Sequence, residues 1–223
     1  MNNGLLAAAL SRFFAGAILL GALLFIPAGT LHYPDGQRFL LLLLIPMLLL
    51  GIALYLKAPS LLEKRLRSRE KDPAQQKVTG FCAALLCLVF ALSGLDFRFS
   101  WSNMPDMLKQ SAGVLQLLAY ALYAEVMREN AFLSRTIEIQ EQHRVVDTGL
   151  YGLIRHPMYA ATILLFLSMP LVLGSLIAFG VMLLYPACII VRIRHEEAFL
   201  KKHLDGYAAY MQRVRYRLFP LIW

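Results

Sequence analysis

Between two blocks of membrane-like composition, residues His143 to Tyr159 read HRVVDTGLYGLIRHPMY. His143, Arg144, Asp147, Thr148, Arg155 and His156 crowd into fourteen positions, with Gly149 and Gly152 among them. Pro157 then opens a long apolar run, and at a first helical position its missing N–H is not needed. The backbone donors and positive dipole end just before that run form a site suited to an anionic group. A second polar stretch, Arg192 to Tyr210 (RIRHEEAFLKKHLDGYAAY), follows the same run and carries the adjacent acids Glu196 and Glu197. If the run folds back on itself, its two feet return to one membrane face. Pro157 and Arg192 are then neighbours.

The elements that must position these residues are membrane helices. The chain has 223 residues, 59% of them hydrophobic and 16% charged, which is too apolar for an ordinary soluble domain. Phe13–Leu31, Phe39–Leu56 and Val78–Leu95 are uncharged blocks of the length that spans a bilayer. Gln110–Ala124 is shorter and spans only with its flanks. Met158–Val191 is too long: a single helix of that length would run about 51 Å against a hydrocarbon core of about 30 Å. The sequence predicts a turn near Ser168–Ser175, with Pro170 and Gly174 as breakers.

Charge placement supports that folding. Lys57, Lys64, Arg65, Arg67, Arg69, Lys71 and Lys77 lie between the second and third blocks. Arg192, Arg194, Lys201, Lys202, Arg213, Arg215 and Arg217 follow the last, whereas the other connections hold just Arg38, Arg98 and Lys109. The positive-inside rule places both rich segments on the cytoplasmic side, so Met158–Val191 must cross an even number of times. The expected fold is all-α: a polytopic membrane protein of about six transmembrane helices, both termini cytoplasmic. The last two form a short helical hairpin, followed by an amphipathic helical tail. Residues 1–127 read as a four-helix membrane scaffold and 128–223 as the catalytic region. No cleavable signal peptide is visible at Met1–Leu10.

Several features have bland explanations. The net charge of +8 reflects topology and anionic headgroups better than nucleic acid. Ser60–Lys77 reads as a surface helix or solvated loop. Cys82, Cys87 and Cys188 fall in apolar spans and suggest neither disulfides nor a metal site. His32 and Tyr33 beside Pro34 fit an ordinary turn, and Trp101 an interfacial anchor. Arg192 and Glu196 could be a mere surface ion pair. Tyr207 and Tyr210 could anchor at headgroup level, and His156 could be a simple cap.

Taken together, H-x-V-V (His143–Val146), G-x-Y (Gly149–Tyr151), R-H-P-x-Y (Arg155–Tyr159), the Glu196-Glu197 pair and Y-x-x-Y (Tyr207–Tyr210) before Pro220 resemble the C-terminal signature of the isoprenylcysteine carboxyl methyltransferase family, relatives of the phospholipid N-methyltransferases. Asn130–Gln140 resembles the connector of bacterial members. The resemblance covers roughly the last ninety residues. It implies an S-adenosyl-L-methionine pocket lined by His143, Arg144, Val145, Val146, Tyr151, Arg155, His156, Pro157, Met158, Tyr159 and Glu196. It implies that Arg192 faces the methyl acceptor. The intervening Arg194 and His195 depart from the family's acid-richer run and leave the acceptor's identity open.

These residue types suit that cofactor. Its carboxylate calls for Arg, His or backbone N–H groups, its ammonium and sulfonium for an acid, and its adenine for an apolar slot. The expected reaction is methyl transfer to a lipophilic small molecule or lipidated acceptor that enters from the bilayer. A carboxylate acceptor needs alignment and a dry site; an amine needs a base, for which Glu197 is the nearest candidate. A nicotinamide-dependent sterol reductase is a competing enzyme reading. A non-enzymatic assembly or transport protein is another, although transport predicts charges at mid-span that the four clear blocks lack.

Overall fold

The computed structural model describes residues 3–66, 73–130, 132–133 and 144–223. His143, the basic residues Arg67, Arg69 and Lys71, and most of the Asn130–Gln140 connector lie outside them. Among the described residues the chain is helical, with no strands. Helices α1 (Asn3–Ala28) and α2 (Pro34–Lys57) lead through the short α3 (Pro59–Leu66) to α4 (Pro73–Phe99) and α5 (Asp106–Glu129). A 3-10 turn at Gly149–Gly152 precedes α6 (Pro157–Val172), α7 (Leu176–Met182), α8 (Leu184–His203) and α9 (Tyr207–Arg213).

Among the described residues, four helical segments are long and apolar enough to cross a membrane: Gly4–Ala28, Pro34–Lys57, Gln75–Phe99 and Leu176–His203. Their outward faces carry large apolar side chains such as Ile18, Ile26, Leu49 and Leu56, all exposed. A continuous exposed surface of this kind requires lipid around it. α2 starts on Pro34 with Asp35 in its first turn and ends on Lys57, which complements the helix dipole at both ends. Pro27 and Pro46 sit inside α1 and α2.

α5 and α6 form the most extensive helix pair, while α4 packs against α1, α7 and α8. α5 has 24 residues, about 36 Å of helix, although it is too polar to count with the four spans. α6 has 16 residues, about 24 Å, and is apolar throughout. The reversal falls inside the predicted window, but at Leu173–Ser175 and not at the proline. Pro170 is accommodated in the last turn of α6. Gly174 makes the break with φ +77°, a conformation that side chains with a Cβ disfavour, and Ser175 caps α7 by accepting from the Ala178 N–H at 3.0 Å.

That turn is locked in place. Buried Asp96 of α4 accepts from the Ser102 N–H and Oγ, each at 2.7 Å, and from Ser175 Oγ at 2.5 Å. Tyr33 is no ordinary turn residue: only 1% exposed, it donates from Oη to the Leu173 carbonyl at 2.5 Å. These bonds fix α6 at the end remote from Pro157. The other end is left to the polar motifs.

Candidate functional site

α6 begins at Pro157, as its sequence predicts, and His156 is its N-cap residue. His156 does not cap with its side chain. Its ring Nε2 lies 3.2 Å from Glu197 Oε1. Nor are the backbone donors ahead of α6 left for an anion: the N–H groups of Arg155 and His156 donate to the carbonyls of Tyr216 and Arg217, both at 2.9 Å. The C-terminal tail has taken that place.

Glu197 is the centre of this junction. Its Oε1 accepts from Arg155 Nε at 2.7 Å, and its Oε2 from Arg217 Nε at 2.9 Å. Arg155 also donates from Nη1 to the carbonyls of Val214 at 2.8 Å and Arg215 at 3.1 Å. Arg217 lies over the Trp223 ring, 4.8 Å from its centroid. Side chains of Arg155 and Glu197 are 5% and 6% exposed, so the pair is sealed from water. A carboxylate whose two oxygens are held by two guanidiniums and an imidazole is ill suited to accept a proton. The geometry therefore speaks against the base role considered for Glu197.

The adjacent acid faces another way. Tyr159 donates from Oη to Glu196 Oε2 at 2.6 Å and receives the Arg192 Nε–H at 2.8 Å. The phenol thus bridges the two α8 residues, which make no simple surface pair. The hydrogen bonds of Tyr159 on α6 with Arg192 and Glu196 on α8 bring the feet of the hairpin together.

The tail supplies a roof. Tyr210 donates from Oη to the Tyr151 carbonyl at 2.8 Å. Tyr207 and Tyr210 are 5% and 3% exposed, which rules out an anchoring role in the headgroups. Burial pushes the phenols of Tyr151, Tyr207 and Tyr210 above their ordinary range. They remain neutral donors near pH 7. Tyr207 Oη is buried with no hydrogen-bond partner.

The loop before α6 depends on Gly149. It adopts φ +54°, and a Cβ there would stand 1.8 Å from Glu129 Oε1. That carboxylate is committed, since its Oε2 accepts the Leu150 N–H at 2.9 Å. Gly149→Ala is expected to displace the 150–156 loop and to weaken ligand binding in the cavity beneath it about tenfold or more. Calorimetric titration of the variant checks this, with wild-type affinity as the result against it.

Beneath the roof lies one large cavity of about 1730 Å³. It collects Arg144, Val145, Val146, Tyr151, Arg155, His156, Met158, Tyr159, Arg192 and Glu196 on its polar side. Among the described candidate site residues, Pro157 and Glu197 do not line it. Pro157 is buried in the helix start, and Glu197 is turned into the junction behind. On its other side the cavity runs between α1, α2, α4 and α6, along Leu10, Phe13, Leu43, Met47, Leu50, Leu86 and Phe166. The scaffold and the C-terminal motifs therefore share one chamber. Tyr123, Asn130, Thr162 and Tyr185 also line it. Tyr123, Thr162 and Tyr185 had no local sequence signal, because each belongs to a helix whose orientation only packing sets; Asn130 is the C-cap of α5.

Several apolar spans, joined by a polar cradle at one end, define an integral, multi-pass helical membrane protein. Residues 112–202 match the sequence model of the Isoprenylcysteine carboxyl methyltransferase (ICMT) family. The match covers less than half of the chain and agrees, over that stretch, with the resemblance carried by the motifs. No curated protein gave a significant match. Among the described residues no group of His, Cys, Asp or Glu is arranged to hold a metal ion.

Proposed function

We propose that this protein is an S-adenosyl-L-methionine-dependent methyltransferase acting on a lipophilic acceptor. The observation that carries the reading is the single cavity. It joins the residues on either side of the hairpin to an apolar chamber between membrane spans. At about 1730 Å³ it exceeds the ~300–1,000 Å³ typical of a pocket for one small ligand. A polar cofactor and a hydrocarbon-bearing acceptor fit together in such a space.

The residues present suit that cofactor. Glu196 is the acid among the described residues lining the cavity and answers an ammonium or sulfonium charge. Arg144 and the unpartnered Tyr207 hydroxyl offer donors to its polar groups, while Val145, Val146 and Met158 supply an apolar slot. His143 lies outside the described residues, and its assignment rests on the resemblance. Pro157 serves by starting α6. When bound, the cofactor supplies a methyl group whose bond to sulfur breaks, with the electron pair staying on sulfur, as a bond to the acceptor forms. With a carboxylate acceptor no proton moves. Arg192, held by Tyr159, orients the acceptor, and the roof of Tyr207 and Tyr210 keeps water out. Glu197 we assign to the scaffold of the site, not to proton transfer.

In the membrane, α5 and α6 join the four long spans as a paired fifth and sixth crossing. The chain's two termini and the basic segments then face the cytoplasm by the positive-inside rule. Residues 128–223 carry the cofactor side, and residues 1–127 carry most of the acceptor chamber.

Calorimetry on the detergent-purified protein tests the reading, with S-adenosyl-L-methionine titrated against reduced nicotinamide adenine dinucleotide phosphate. Binding of the first and not the second is expected; binding of the nicotinamide alone would turn the reading to reduction. Arg192→Ala is expected to abolish methyl transfer to a lipid extract while insertion and folding persist. Unimpaired transfer in that variant would remove Arg192 from the acceptor site.

A further inference from the structure

The charge-rich segment after α2 contains a side chain that topology alone does not explain. Arg65, on α3, does not point into solvent but lines the cavity. Its guanidinium lies over the Tyr123 ring, 5.7 Å from the centroid. Its Nη2 is 3.9 Å from Met158 Sδ, a weak acceptor, in the middle of the R-H-P-x-Y motif. Its Nε is buried with no hydrogen-bond partner. No carboxylate pairs with it among the described residues.

The rest of the cavity sharpens the contrast. Glu196 is engaged by Tyr159 at 2.6 Å, and Arg155 is neutralised by Glu197 at 2.7 Å. Arg65 faces the same space with no carboxylate paired to it among the described residues. Arg65 is only partly buried, yet its Nε is closed off from water, and an anion that meets it there supplies the missing partner. Guanidinium is the side chain whose planar fork best matches a carboxylate. α3 is also held firmly: Leu61 and Leu62 are buried, and Arg12 of α1 donates to the Leu66 carbonyl at the end of the helix. The guanidinium is thus carried on a fixed element.

We infer that Arg65 is a carboxylate-binding residue of the cavity, a positioning residue contributed by a helix outside the stretch that matches the family. The inference rests on the methyltransferase reading for one of its two possible sources of carboxylate. These are the amino-acid end of the cofactor and the head of an acidic, long-chain acceptor. Either is drawn to the point where Tyr123, Met158 and Arg65 meet.

The test compares Arg65→Gln and Arg65→Lys with the wild type in detergent. S-adenosylhomocysteine and 5′-methylthioadenosine, which lacks the amino-acid portion, are titrated by calorimetry. Radiolabelled palmitate is measured by equilibrium binding, with palmityl alcohol as the uncharged control. If Arg65 holds the cofactor carboxylate, Arg65→Gln weakens S-adenosylhomocysteine about tenfold or more and leaves 5′-methylthioadenosine unchanged. If it holds an acidic acceptor, the cofactor titrations stay as in wild type and palmitate loses its advantage over the alcohol. Partial recovery in Arg65→Lys, which restores charge without the fork, accompanies either result and excludes simple misfolding. Wild-type affinities for every probe in Arg65→Gln overturn the inference. A wild type that binds no adenosyl compound but shows Arg65-dependent palmitate binding overturns the methyltransferase reading and leaves the inference standing.

Discussion

Replacing Glu197 with Ala should destabilise the protein by about 3–5 kcal/mol, the usual cost of removing one partner from a buried ion pair. The argument rests on what stays behind. Arg155 is 5% exposed and would lose the carboxylate 2.7 Å away. His156, equally buried, would lose its contact at 3.2 Å. The tail would also lose a tie, because Arg217 reaches Glu197 from its far side at 2.9 Å. With Tyr216 and Arg217 bound to the backbone ahead of α6, loosening of the tail should loosen the roof as well. Thermal unfolding in detergent, followed by fluorescence, should show a midpoint lowered by many degrees and a loss of cofactor binding. Arg217→Ala gives an internal comparison: its side chain is 31% exposed and screened, so its effect should be well below that of Glu197→Ala. A Glu197→Ala protein that melts with the wild type would remove Glu197 from the centre of the fold.

The neighbouring substitution should behave in the opposite way. Glu196→Gln keeps the size of the side chain and an oxygen for the Tyr159 hydroxyl, which now donates at 2.6 Å. What it removes is the negative charge facing the cavity. Hydrogen bonds to charged groups are worth about 1.5–3 kcal/mol, so cofactor affinity should fall roughly 10–100-fold. The thermal midpoint should stay near that of the wild type, since Glu196 is only partly buried and its bond to Tyr159 keeps an acceptor in the variant. Calorimetry with S-adenosyl-L-methionine reads the first effect and thermal unfolding the second. Unchanged affinity would take Glu196 out of the cofactor site; a collapsed melting curve would make it structural.

The contrast between two adjacent acids marks where sequence reasoning stopped. Successive residues on a helix point about 100° apart, so Glu196 and Glu197 cannot share a role. Which of them faces the ligand is decided by the rotation of α8. The buried residues of that helix are Tyr185, Ile189, Ile193 and Glu197, spaced four apart. Glu197 therefore extends the apolar stripe into the packed junction, while Arg192 and Glu196, also four apart, fall together on the cavity face. That spacing was present in the sequence. It could have separated the two acids had the stripe been followed past the end of the apolar run.

Some of the protein was determined by sequence alone, because the physics involved is local. An apolar block of bilayer length must become a helix to satisfy its own backbone. Pro157 can begin a helix but not continue one, and Gly174 permits a reversal that other residues resist. The order of the C-terminal motifs was sufficient to indicate the family that residues 112–202 match. What only the tertiary structure decided are the facts that depend on distance. The tail, and not a ligand, meets the backbone ahead of α6. Tyr33 locks the far turn across 140 residues of chain, and Arg65 leaves a basic run to enter the cavity. No window of sequence contains both partners in any of these contacts, so their geometry is set only when the helices pack.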